Sequence, residues 1–111
     1  KNLSTNWFKR TVRTYKNLRN KMIADGDIRD GLAPSYFLEG LLYNVPVDRF
    51  GGTYVQNFDD TLNWLASADR TKFVCANGLY YLCHATSPVT WRAENCTAFL
   101  SAAVKKRDNW R

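Results

Sequence analysis

Two groups of residues in this 111-residue chain have types and spacing suited to chemistry. The first is Cys75, Cys83, His84 and Cys96. Thiolates and an imidazole can ligate zinc, but the pattern C-x7-C-H-x11-C contains no cysteine pair two to four residues apart. Three thiols are also an odd number for a disulfide framework. Buried reduced cysteines are the plain reading, a metal site is the alternative, and the compartment is expected to be reducing, hence cytoplasmic. The second group lies in LAPSYFLEGLLYNVP, Leu32 to Pro46, where a Ser-Tyr pair opens the most apolar segment of the chain. A helix start at Pro34-Ser35-Tyr36 presents backbone N–H groups and a positive dipole end, with a hydroxyl and an aromatic ring attached. Phosphates need donors and cations, and a purine needs a flat face to stack on. The structural alternative makes Ser35 a cap and Tyr36 a core aromatic.

Cations are supplied by the N-terminal segment. Seven of the sixteen Lys and Arg fall within the first 21 residues (Lys1, Lys9, Arg10, Arg13, Lys16, Arg19 and Lys21), and no acid precedes Asp25. The formal net charge is +6. Such a balance suits a phosphate-bearing partner, a nucleotide or a nucleic acid, with a solvated helix face as the alternative. A catalytic constellation is not visible. His84 has no nucleophile in a recognisable motif, there is no P-loop or G-x-G-x-x-G, and the acids read as scattered. Glu39, inside the apolar segment, is expected to be a buried carboxylate paired with an Arg, or otherwise a catalytic acid. The chain by itself is not expected to be an enzyme.

These residues must be positioned by helices. In STNWFKRTVRTYKNLRNKMIADG the apolar residues Phe8, Val12, Tyr15, Leu18 and Met22 recur at 4, 3, 3 and 4, which predicts one long amphipathic helix capped at Ser4, Thr5 or Asn6 and ended by Gly26. Lys9, Arg13, Lys16 and Asn20 form a second stripe on it. Pro34 suits the first position of a second helix running from Ser35 to about Asn44, apolar nearly all round and so expected to be buried, with Pro46 closing it. A third helix is predicted from about Asn57, with Asp59 and Asp60 in its first turn and Phe58, Leu62 and Leu65 facing inward. Asn77-Gly78, between β-forming residues, predicts a two-stranded hairpin. Thr90 caps a last helix carrying Cys96, Phe99, Leu100, Ala103 and Trp110. The fold class is therefore mainly α: residues 1–111 form a single domain, a small bundle of about four helices with a minor β-hairpin. No apolar run approaches the length of a membrane span. The chain begins with Lys1 rather than Met, so it is expected to be a fragment.

The order VRTYKNLR on a long helix, a short loop, then APSYFLEGLL resembles the C-terminal helical lobe of the oligoadenylate synthase and cGAS/DncV-like nucleotidyltransferases. LYYLCHATSPVTWRAENCTAFLSAAVKKRDNW looks like the strand, loop and final helix that close this lobe. The resemblance implies that Lys16 contacts a triphosphate, that Arg13 holds the preceding basic position, that Ser35 is the polar neighbour and that Tyr36 stacks on a nucleobase. The loop HATSPVTW departs from the D-P-x-D-P-x-N of many members, which makes bacterial members, producers of cyclic oligonucleotide signals in antiphage defence, the nearer match. It implies further that the Gly-Ser motif and the Mg²⁺-binding carboxylates sit in an N-terminal lobe absent from this chain, which would be a partner together with nucleoside triphosphate. Two other readings stay open: a basic helical module binding nucleic acid, and a helical protein-interaction domain.

Overall fold

The long apolar stripe becomes helix α1, Asn2–Ala24, in a computed structural model that describes residues 2–68 and 93–109. Val12, Tyr15, Leu18 and Met22 are all buried. Ser4, Thr5 and Asn6 lie inside α1 and do not cap it. Their low helix propensity, a few tenths of a kcal/mol each by roughly the host–guest scale, does not interrupt a long amphipathic helix. At the other end Gly26, at φ +81°, reverses the chain as predicted. Its N–H bonds Ile23 O at 3.1 Å, while the Asp27 N–H bonds Met22 O at 2.8 Å. That pair of bonds is a Schellman cap, and it needs the left-handed residue that glycine supplies without strain.

Helix α2 covers Ser35–Tyr43. Pro34 is its N-cap rather than its first helical residue, because its ψ of 151° is extended. Phe37, Leu38, Leu41 and Leu42 are buried, and Leu38 and Leu41 have no exposed surface. Burying each such side chain contributes about 1.5–3 kcal/mol. Burial is not all round, however: Tyr36 is 66% exposed, Tyr43 is 50% exposed, and Glu39 between them is exposed too. At spacings of three and four these residues share one edge, so α2 lies on the side of the bundle and not at its centre.

After a short 3-10 turn at Val47–Arg49, helix α3 spans Tyr54–Ser67. It starts three residues before the predicted Asn57. The Gln56 N–H donates to Thr53 Oγ1 at 3.1 Å and the Thr53 N–H donates to Gln56 Oε1 at 3.1 Å. This reciprocal capping box nucleates the helix at Tyr54, and Asp59 and Asp60 fall in its second turn. Phe58, Leu62 and Leu65 face the core as expected. Helix α4, Ala93–Asn109, buries Cys96, Phe99, Leu100 and Ala103. The hairpin at Asn77-Gly78, the cap at Thr90, Trp110, Cys75, Cys83 and His84 lie outside the described residues. Among the described residues the fold is four α-helices, with α1 packed against the other three. No helix among them is long and apolar enough to cross a membrane.

Polar groups fix how α1 and α3 meet. Thr61 Oγ1 donates to Asn57 O at 2.8 Å. Its single proton is then used, so the Tyr15 hydroxyl, 2.9 Å away, is the donor to Thr61. Asn57 Nδ2 donates to Thr11 Oγ1 at 2.8 Å, and Thr11 donates to Trp7 O. Burial pushes the Tyr15 phenol far above its ordinary range, so it remains a protonated donor.

Candidate functional site

Helices α1 and α2 run antiparallel, and their seam carries the residues singled out in the sequence. At one end Phe8 and Lys9 of α1 line a hollow with Leu42 and Tyr43 of α2. In the middle Lys9, Arg13 and Lys16 surround a cavity of about 340 Å³ with Phe8, Val12 and Glu39. At the far end Arg19 Nη1 donates to Ala33 O at 3.0 Å and to Ser35 Oγ at 2.9 Å. The positions 9, 16 and 19 therefore face 43, 39 and 35 in turn. The seam follows from the two periodicities: the apolar stripes of both helices pack together, which leaves the cation row of α1 beside the exposed edge of α2.

Lys9, Arg13 and Lys16 make no ion pair among the described residues. Several other cations are engaged. Arg10 lies over the Trp7 ring at 5.6 Å. Lys106 holds both Asp25 and Asp27, the latter at 2.7 Å. Arg107 reaches Asn63 Oδ1 at 2.6 Å, Asp108 at 3.2 Å and Asp59 at 3.8 Å. The hydrogen bond from Lys106 holds the Asp25 carboxyl below the ordinary carboxylate range, with Lys21 adding to the effect. That acid in turn raises the Lys106 ammonium.

Several of the acids read as scattered in the sequence meet cations in the fold. Among the described residues they form no group that could hold a metal, and Asp25, Asp27, Asp59 and Asp108 are each committed to Lys or Arg. Cys96 is buried.

Of the four predicted site residues, Lys16 and Arg13 share the central cavity. Ser35 and Tyr36 sit at the start of α2, and Tyr36 is not among the residues lining that cavity. Two residues connect the groups. Arg19, one turn beyond Lys16 on α1, bonds Ser35, and Glu39, one turn beyond Tyr36 on α2, faces Lys16 across the cavity. Glu39 was expected to be buried and paired with an Arg; it is exposed and makes no ion pair among the described residues, because α2 lies at the edge of the bundle. Tyr36 is not a core aromatic. Its ring lies 4.4 Å from that of Phe37, inclined at 31°, and its outer face is open. Ser35 does not cap α2; Pro34 occupies that position.

Arg19 was one cation among seven in the sequence, and its link to Ser35 spans sixteen residues, which no local pattern reveals. Only its three-residue spacing from Lys16 hinted that the two share a face. The arrangement sets three cations, unpaired among the described residues, in a row, with a hydroxyl beside a helix start and an exposed aromatic ring along the same seam. Those groups can receive an extended anion with a flat ring at one end.

The chain is similar to known proteins over nearly its whole length. Residues 1–107 match the model of the cGAS/DncV-like nucleotidyltransferase C-terminal helical domain. It is 48% identical over 101 residues to the cyclic UMP-AMP synthase of Rhodothermus marinus (strain SG0.5JP17-172), covering 90% of this chain and 34% of that protein. The structure of the Rhodothermus marinus CdnE c-UMP-AMP synthase with Apcpp and Upnpp superposes with a TM-score of 0.89 at 41% identity, over 98% of this chain and 37% of that one. That of the Elizabethkingia meningoseptica CdnE cyclic dinucleotide synthase with GTP and Apcpp gives 0.76 at 29% identity, over 96% and 40%. The chain thus spans about a third of the length of the curated relatives it matches. With these likenesses and the helical bundle described above, the chain belongs to the family of cGAS/DncV-like nucleotidyltransferase C-terminal helical domains.

Proposed function

We propose that this domain is the nucleotide-holding lobe of a bacterial nucleotidyltransferase that makes a cyclic oligonucleotide signal for antiphage defence in the cytoplasm. The observation that carries the reading is the row Lys9, Arg13 and Lys16, left without carboxylate partners among the described residues, along the seam with α2, whose first turn carries the exposed Tyr36. Buried or engaged cations need no ligand. A row that stays unpaired along a cavity offers charge-assisted bonds to a polyphosphate. Support also comes from the two similar structures, which hold nucleoside triphosphates or their analogues.

In this reading Lys16, with Arg13 behind it, binds the triphosphate, Ser35 donates to a phosphate oxygen, and Tyr36 stacks on the base. A ribose hydroxyl attacks the α-phosphate: a new O–P bond forms, the α–β bridge breaks, and pyrophosphate leaves. The carboxylates that bind Mg²⁺ belong to the N-terminal lobe of the same protein, and this domain contributes by holding the reactants in line.

The test is nucleotide affinity in the full-length protein. Lys16→Ala removes a hydrogen bond to a charged group, roughly 1.5–3 kcal/mol of binding, and with no ion pair at Lys16 among the described residues the melting temperature should stay at the wild-type value. Wild-type affinity in Lys16→Ala and in Lys16→Ala/Arg13→Ala would remove the reading. The same cation row favours a second reading, phosphate contacts to duplex or single-stranded nucleic acid without a free-nucleotide site.

A further inference from the structure

We infer that Arg19 is a positioning residue that acts on the nucleotide through the Ser35 hydroxyl; this rests on the nucleotide-lobe reading above. A guanidinium only donates hydrogen bonds, whereas a serine hydroxyl has one proton and two acceptor lone pairs. Arg19 Nη1, 2.9 Å from Ser35 Oγ, fills one of those lone pairs and cannot accept the proton. Ser35 makes no other side-chain hydrogen bond among the described residues. Its O–H is therefore left to donate outward, and a donor is what a phosphate oxygen requires.

Three bonds hold the guanidinium in that office. The same Nη1 donates to Ala33 O at 3.0 Å, and Nε donates to Asn20 Oδ1 at 3.1 Å. No carboxylate pairs with Arg19 among the described residues, so its charge stays available to polarise the hydroxyl it touches. The planar fork is what lets one side chain span Asn20, Ala33 and Ser35 at once. A lysine ammonium carries comparable charge without that fixed geometry. Arg19 sets the polarity and direction of Ser35, and Lys16, one turn earlier, supplies direct charge.

The experiment is a double-mutant cycle in the full-length enzyme, read as KM and kcat for nucleoside triphosphate by pyrophosphate release, with thermal melts to verify folding. Ser35→Ala should raise KM about tenfold, the effect of one lost bond to a charged acceptor. Arg19→Met should raise KM about three- to tenfold with kcat within about twofold, the pattern of lost ground-state binding. In the Ser35→Ala background the same Arg19→Met change should add less than about twofold, because its route to the nucleotide is gone. Arg19→Lys, which keeps a donor and is the milder change if Arg19→Met does not fold, should raise KM by an intermediate factor and lose that effect when Ser35 is Ala. Fully multiplicative effects of the two sites would overturn the inference, and so would wild-type KM in both Arg19 variants while Ser35→Ala is impaired. Wild-type KM in Ser35→Ala itself would instead remove the nucleotide role of Ser35, and this inference with it.

Discussion

Truncating Tyr36 separates a ligand-binding role from a structural one. About a third of this residue is covered, since it is 66% exposed, and its one aromatic neighbour among the described residues is Phe37 at 4.4 Å. Removing a fully buried aromatic costs about 3–5 kcal/mol, so Tyr36→Ala should lose on the order of 1 kcal/mol of stability. Leu38, two residues along the same helix, has no exposed surface and provides the contrast: Leu38→Ala should cost about 2–5 kcal/mol. Nucleotide binding should rank the two sites the other way. A base stacked on an aromatic ring contributes about 1–3 kcal/mol, so Tyr36→Ala should weaken binding by roughly 5- to 150-fold. Tyr36→Phe keeps the ring and should bind within about threefold of wild type. The assay pairs urea unfolding with equilibrium binding of a non-hydrolysable triphosphate analogue to the full-length protein. If Tyr36→Ala unfolds as readily as Leu38→Ala while its folded fraction binds with wild-type affinity, Tyr36 is structural and the stacking argument is wrong.

Tyr15→Phe removes the donor to Thr61 but strands no buried proton, because Thr61 already donates to Asn57 O; urea unfolding should show a loss of about 0.5–1.5 kcal/mol. Asp25 is held below its ordinary carboxylate range by Lys106 and then by Lys21. A depressed acid contributes stability above its unfolded-state pKa and loses it as pH falls through the folded value. Wild type should therefore lose more stability than Asp25→Asn between about pH 5 and pH 2, and parallel melting curves would refute the link. For the domain alone, duplex DNA binding that uses only the three free cations of the central cavity should have a salt slope no steeper than about 3. Tight binding with a steeper slope would favour the nucleic-acid reading. Incubated alone with nucleoside triphosphates and Mg²⁺, the domain should form no product, and any detectable product by chromatography would show that the division between lobes is misread.

Local features could be read from the chain alone. The stripe from Phe8 to Met22, the stop at Gly26 and the inward set Phe58, Leu62 and Leu65 follow from periodicity and turn chemistry, which need only neighbours a few residues away. The capping box at Thr53 and Gln56 was equally local, and its two bonds explain why α3 begins before Asn57. The exposed edge of α2 was not legible. Its residues are apolar nearly all round, so the pattern does not say which sector faces solvent, and only its position beside α1 left Tyr36, Glu39 and Tyr43 outside. The tertiary structure likewise decided which charges meet. Arg19 and Ser35 are sixteen residues apart, Asp59 and Arg107 join α3 to α4, and Lys106 closes on Asp25 across 81 residues. Helical spacing places a charge on a face, but the angle and depth at which two helices dock determine what it meets. That is why the cation row could be read from the chain, while its lack of partners among the described residues, and the bond that aims Ser35, could be seen only in the folded bundle.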